Sequence, residues 1–196
     1  MEVKFSQADR MITAYIKAKL VPMLAGSPGC GKSQLIYQIA ERYNLKVIDL
    51  RLSQCDPTDL AGFPTVEGNK ADYVPMKHFP VEGDKIPEGY SGWLLFLDEI
   101  TSAMPDIQAA AYKLVLDRMV GSHHLHKNVA IACAGNKETD NAVAHAMSTA
   151  LQSRLAHLEL VVDAEEWCNW AADEGMDHRI SDFIKFKPSM LYTFSP

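Results

Sequence analysis

The stretch Gly26-Ser27-Pro28-Gly29-Cys30-Gly31-Lys32-Ser33 constrains this chain more than any other, because it fits G-x-x-x-x-G-K-[ST] at every fixed position. The apolar run Val21-Pro22-Met23-Leu24-Ala25 before it predicts a short buried strand. Residues 32–43 after it carry Leu35, Ile36, Ile39, Ala40 and Tyr43 at helical spacing. Strand, glycine loop and helix in that order form a cradle for phosphate: the glycines let the backbone wrap an anion, and the N–H groups of Gly29 to Ser33 point inward at a helix start. Lys32 adds a full charge toward the β/γ-phosphates of a nucleotide, and the Ser33 hydroxyl suits Mg²⁺. The candidate nucleotide-binding residues are therefore Gly26, Ser27, Pro28, Gly29, Cys30, Gly31, Lys32, Ser33 and Gln34.

A second informative stretch is Trp93-Leu94-Leu95-Phe96-Leu97-Asp98-Glu99, an unbroken apolar run ending in two acids. Strands buried on both faces of a parallel sheet read this way. Beside a phosphate loop, Asp98 fits a metal role with Ser33, and Glu99 can orient and deprotonate an attacking water. Residues 129–134 predict another buried strand, with Asn136 just past its C-terminal end, the edge where open parallel sheets bind ligands. Asn136 there can hold the water or the γ-phosphate.

Elsewhere, Ser6-x-x-Asp9 before Met11, Ile12, Tyr15, Ile16 and Leu20 predicts a capped amphipathic helix, and residues 45–52 a strand. Asp56, Pro57 and Gly62 read as cap, first position and terminator of a short helix. Residues 63–92, broken by prolines and glycines, predict a long irregular loop, held down by Tyr73, Val74, Met76 and Phe79 or using them to touch a passing polymer. A helix follows Pro105 and stops at Gly121. His123, His124 and His126 read as a polar loop rather than a metal site, since no carboxylate or thiolate accompanies them. A helix over 147–155, a strand over 157–161 and two further helices, one capped by Asp163 and one over 178–186, complete the chain. The change from alternating elements to tryptophan-bearing helices places a boundary between residues 1–162 and 163–196.

With 47% hydrophobic and 22% charged residues, and no apolar run long enough for a membrane, the composition is that of an ordinary globular protein. A net charge of −6 argues against a surface made for nucleic acid. Four dispersed cysteines and the N-terminal Met1-Glu2-Val3-Lys4-Phe5 suggest reduced thiols and a cytoplasmic location.

Taken in order, the phosphate loop, the two-acid strand, Asn136 and Ser153-Arg154-Leu155 resemble the AAA+ ATPases, and Asp-Pro-Thr-Asp-Leu-Ala-Gly-Phe-Pro (56–64) is similar to their MoxR and CbbQ group. The resemblance implies an α/β three-layer P-loop NTPase fold with a five-stranded parallel sheet of order 5-1-4-3-2, followed by the start of a helical lid. It implies ATP and Mg²⁺ as cofactors and Asp98/Glu99 as Walker B. Asn136 would be sensor 1, and Arg154 an arginine finger acting on a neighbour's γ-phosphate. A homo-oligomeric ring, usually of six subunits, would remodel a protein substrate in a chaperone-like manner, with a von Willebrand factor A type partner. The chain reaches only the opening helices of a lid, and Arg179 is given no sensor role. A nucleotide-dependent binding module with little turnover is the alternative, and a small-molecule kinase sharing the first motif is a third reading.

Overall fold

The computed structural model of the chain describes residues 1–137, 140 and 145–194. Ten strands are described: β1 (Glu2–Val3), β2 (Val21–Ala25), β3 (Leu45–Arg51), β4 (Phe63–Glu67), β5 (Lys70–Val74), β6 (Gly92–Asp98), β7 (Met119–Val120), β8 (His123–His124), β9 (Val129–Gly135) and β10 (Leu155–Leu160). The helices are α1 (Phe5–Lys17), α2 (Lys32–Arg42), α3 (Pro57–Ala61), α4 (Pro105–Leu116), α5 (Thr149–Gln152), α6 (Ala164–Asp173) and α7 (His178–Phe186).

The main sheet is parallel throughout, in the order β1-β10-β2-β9-β6-β3. Its last five members reproduce the order 5-1-4-3-2. The sheet has six strands rather than five because Glu2 and Val3 pair with Glu159 and Leu160 at its edge, a two-residue strand too short to leave a periodic signal.

Alternation along β6 explains the three layers. Leu94 and Phe96 join one apolar cluster with Ile12, Leu35, Ile36 and Ile39 from α1 and α2. Trp93, Leu95 and Leu97 join the other, with Leu60, Ile107, Ala111 and Leu114 from α3 and α4. Both faces are therefore covered, and each fully buried Leu or Phe contributes roughly 1.5–3 kcal/mol through lost contact with water.

Several elements depart from the sequence expectations. Helix α1 starts two residues earlier than a Ser6 cap requires, with Lys4 as its N-cap: Gln7 Oε1 accepts the Lys4 N–H at 3.0 Å, while Ser6 Oγ donates to Glu166 Oε1 at 2.6 Å and Asp9 pairs with Arg42. The helix ends at Lys17, so Leu20 lies outside it and is exposed. Residues 63–74 are not irregular. They form the antiparallel hairpin β4–β5, turned at Gly68, whose φ of +62° is open to glycine without a Cβ penalty. Of the four side chains expected to pack this segment, Phe79 is buried and Met76 packs on the core, whereas Tyr73 and Val74 are exposed. His123 and His124 sit in the short β7–β8 hairpin rather than in a loop, and His126 lies edge-on to Trp93 with ring centroids 5.1 Å apart. Helix α5 spans only Thr149–Gln152; residues 147 and 148 precede it, and Ser148 Oγ caps it by accepting the Leu151 N–H. The short helix α3 is as expected, with Asp56 accepting the Thr58 N–H at 2.9 Å, Pro57 first and Gly62 at φ +89°. Asp163 likewise caps α6 by accepting the Glu166 N–H at 2.9 Å. No helix among the described residues is long and apolar enough to cross a membrane.

Candidate functional site

The C-terminal ends of β2, β6 and β9 are neighbours in the sheet, so the residues that follow each strand open on one edge. After β2 comes the glycine loop, with Gly29 at φ +79° and Gly31 at φ +94° as the N-cap of α2. A side chain at either position would meet the left-handed penalty of roughly 1–2 kcal/mol. The loop is tied back to the sheet by Gly26 N–H donating to Gly135 O at 3.2 Å.

Lys32 is 9% exposed and bridges two of these strand ends. Its Nζ lies 2.7 Å from Gly26 O, 3.1 Å from Ser27 O and 3.1 Å from Asn136 Oδ1. One residue further along the helix, Ser33 Oγ donates to Asp98 Oδ2 at 3.0 Å. Gln34 is exposed in the first turn of α2. Within the loop, Gly26 is buried, Ser27 and Pro28 are half-buried, and Gly29 is exposed. The half-buried Cys30 has its thiol pushed up by burial, with the Lys32 charge pulling the other way, so it is a neutral thiol near pH 7.

Asp98 ends β6 and accepts the Glu99 N–H at 2.8 Å. Glu99 then turns the chain at φ +58°, ψ +32°, an uncommon place for a residue with a Cβ. Strain of this kind at a strand end is a marker of functional positions. The turn brings the Glu99 carboxylate to the Ser53 hydroxyl, which donates to Oε2. Asn136 is held by its backbone: its N–H donates to Thr101 Oγ1 at 3.0 Å, and the same hydroxyl donates to Asn136 O at 3.3 Å. That contact requires glycine at 135, where a Cβ would stand 2.6 Å from Thr101 Oγ1 and 3.0 Å from Met23 Cε.

The structure thus brings the glycine loop, Lys32, Ser33, Asp98 and Asn136 into one hydrogen-bonded set, with Glu99 next to it. Arg154 is not brought there. It is exposed, and its one side-chain hydrogen bond among the described residues is to Ser153 Oγ at 3.5 Å.

Four residues around the site escaped the sequence reading. Thr101 and Ser53 position Asn136 and Glu99, and nothing in their local sequence marks them. Asp140, buried, accepts Ser27 Oγ at 2.9 Å and the Lys137 N–H at 3.2 Å. Its place four residues beyond Asn136 is the only signal available. Tyr192, from the C-terminal segment, donates its hydroxyl to Pro28 O at 2.7 Å. Tyr192 also walls a cavity of about 590 Å³ beside the loop, which Ser27, Cys30, Lys137, Leu160 and Asp163 line as well. Lys137 is paired there with Glu159 at 2.5 Å, which raises the lysine pKa and keeps it charged.

A parallel sheet carrying a glycine loop at a helix start, with a serine–aspartate pair beside it, defines a P-loop nucleotide-binding protein of the three-layer NTPase class. Within that class, the AAA domain family (dynein-related subfamily) matches residues 22–155, and the chain belongs to it. No curated protein matches the chain by sequence. Among solved structures, it is similar to a candidate ATPase from Cytophaga hutchinsonii at 14% identity and a TM-score of 0.60, covering 85% of this chain and 49% of that one. It is also similar to NtrX from Brucella abortus. The NtrX complex with ADP has 17% identity and a TM-score of 0.52, covering 88% of this chain and 41% of that one. The complex with ATP has 17% identity and a TM-score of 0.53, covering 82% and 36%. The chain spans about half or less of the length of these structures, and at such identities the likeness is one of fold.

Proposed function

We propose that this protein binds ATP with Mg²⁺ and hydrolyses it to ADP and phosphate, as a MoxR/CbbQ-like AAA+ ATPase. The observation that carries the reading is the convergence of Lys32, Ser33, Asp98 and Asn136 on one sheet edge, with Glu99 adjoining. Loop N–H groups and Lys32 hold the phosphates, and the cavity beside the loop gives base and ribose a place. The donors next to the loop are a hydroxyl and a carboxylate, all oxygen, which suits Mg²⁺ with its remaining waters. Bound there by Ser33 and Asp98, the ion would neutralise phosphate charge. Glu99 serves as the base for the attacking water and Asn136 orients that water against the γ-phosphate. Because Arg154 is exposed and apart from this set, it suits action on a neighbouring subunit's nucleotide, within a homo-oligomeric ring of six.

The ring would use the cycle to remodel a protein substrate or a von Willebrand factor A type partner in the cytoplasm. The exposed Phe63, Val66, Tyr73 and Val74 of the β4–β5 hairpin are the surface that would handle it. Residues 1–162 act as the nucleotide core and 163–196 as the opening of a helical lid, with α6 and α7 packed on each other where Cys168 Sγ meets Ser181 O at 3.6 Å.

One contact favours a second reading, a nucleotide-dependent binding module with little turnover. The Glu99 carboxylate is engaged by Ser53, and a base so held is slow to reach water. Phosphate release at saturating ATP, together with mass in solution with and without ATP and Mg²⁺, separates the two. Turnover that requires Mg²⁺ and rises with assembly supports the ring ATPase. Nucleotide-driven assembly without turnover supports the module.

A further inference from the structure

At the opposite end of the sheet from the phosphate loop lies a second cavity, of about 520 Å³. Nucleotide chemistry gathers where Arg51 faces Asp98 across β3 and β6; this cavity sits at the starts of the same strands, where Lys46 faces Trp93. Three consecutive residues of β3 line it, Lys46, Val47 and Ile48. Successive side chains on a strand point to opposite faces, so a cavity touching all three borders the strand's edge and not one face alone. That edge is the free one: β3 ends the sheet, and among the described residues it pairs only with β6. Its outward-facing backbone N–H and C=O groups, about half of the strand's total, are therefore available to another strand.

The charge around the cavity is one-sided. Lys46 from β3 and Lys77 and Lys85 from the segment that lies beside it line the opening, against one carboxylate, Asp84. Asp84 is already occupied, accepting the Val81 N–H at 2.8 Å. Among the described residues no carboxylate comes within salt-bridge distance of any of the three lysines. His78, also at the opening, has its pKa lowered by burial, so it adds no fixed charge near neutrality. A lysine on an edge strand often serves only to discourage aggregation, but Lys77 and Lys85 are not on the strand and still converge on it. The result is a cationic groove, with Ile48 and Trp93 packed in the same apolar cluster beneath it, on a chain whose net charge is −6.

We propose that this groove binds an extended acidic segment of a partner protein, which pairs along the outer edge of β3 and sets its carboxylates against Lys46, Lys77 and Lys85. Strand addition supplies backbone hydrogen bonds, and the lysines supply selection for acids. A nucleic acid fits less well: Trp93 and Phe79 are 5% and 3% exposed, leaving no ring face for a base to stack on.

The test titrates the chain against a fluorescein-labelled peptide, Glu-Val-Glu-Leu-Glu-Val, and reads anisotropy at low and moderate salt. Binding should occur, weaken with salt, and fall about tenfold or more in a Lys46→Glu/Lys85→Glu variant. Both lysines are exposed, so the variant should unfold thermally like the parent. The neutral peptide Gln-Val-Gln-Leu-Gln-Val should bind at least about tenfold more weakly. Of two acidic peptides N-methylated at alternate residues in the two registers, one should lose binding, because only one set of N–H groups faces the strand. Absence of acidic-peptide binding, indifference to the charge reversal, or equal binding of both N-methylated peptides would overturn the proposal. So would tighter, reversal-sensitive binding of an oligonucleotide of equal charge, or self-association of the chain that the reversal abolishes, since each assigns the groove to a different occupant.

Discussion

Ser33 and Asp98 stand 65 residues apart in the chain, and the Ser33 hydroxyl donates to Asp98 Oδ2 at 3.0 Å. The contact joins the first turn of the loop helix, which follows β2, to the tip of β6, two strands away in the sheet. Around it, Lys32 links the loop to Asn136, so three strand ends share one hydrogen-bonded network.

Lys32→Ala should weaken ATP binding by about 2–3 kcal/mol, roughly a hundredfold, the scale of a lost charge-assisted contact. Lys32 is the loop's one fixed cation, and it is already drawn over the loop by Gly26 O and Ser27 O. Titration with a fluorescent ATP analogue measures this, and unchanged affinity would remove the loop from the nucleotide site.

Glu99→Gln should keep ATP and Mg²⁺ binding while slowing phosphate release by roughly 10²–10⁴, because the amide keeps the shape and loses the base. The amide can still accept from Ser53, so the left-handed turn at 99 should persist. Release at the parental rate would mean that another group activates the water.

Arg154→Ala should bind ATP nearly normally and hydrolyse it roughly 10³–10⁵ times more slowly, and Lys should substitute poorly because it lacks the planar fork. Since Arg154 is exposed and apart from its own chain's site, the decisive form is a mixture with Glu99→Gln. Each variant is inactive alone, and a mixed ring sets an intact Arg154 beside an intact Glu99. Recovered phosphate release is expected. No recovery in mixtures shown to co-assemble would leave Arg154 as a surface charge.

Gly135→Ala should destabilise the chain by about 1–3 kcal/mol, the usual cost of overpacking, and lower Tm by several degrees. The new methyl would meet Thr101 Oγ1 at 2.6 Å and Cγ2 at 2.8 Å, both on a buried residue with nowhere to move. Because Thr101 also holds Asn136, calorimetry should show the loss of stability and phosphate release a loss of rate. A variant with parental Tm would show that Thr101 yields freely.

Much of the nucleotide end is legible in the sequence alone, because its signals are local. The run 21–43 carries an apolar strand, glycines for positive φ and a 3.6-residue apolar period within one contiguous stretch, and the structure has β2, the loop and α2 there. The same holds for Asp56 to Gly62, where cap, proline and terminator lie within seven residues. The β4–β5 hairpin was missed although Gly68-Asn69 is a two-residue turn signal, since Pro64 and Pro75 at its ends read as loop.

By itself, then, the sequence determined the alternation of strands and helices, the phosphate loop and the acid-tipped strand. Backbone conformation and side-chain periodicity depend on neighbours a few residues away, and such information survives in one dimension. Only the tertiary structure decided that Glu2 and Val3 extend the sheet, that Thr101 seats Asn136, that Ser53 engages Glu99, and that Tyr192 reaches back over 164 residues to Pro28. Those contacts depend on strand order and register, which place distant residues within 3 Å or so only after the apolar faces of the whole chain have been buried together.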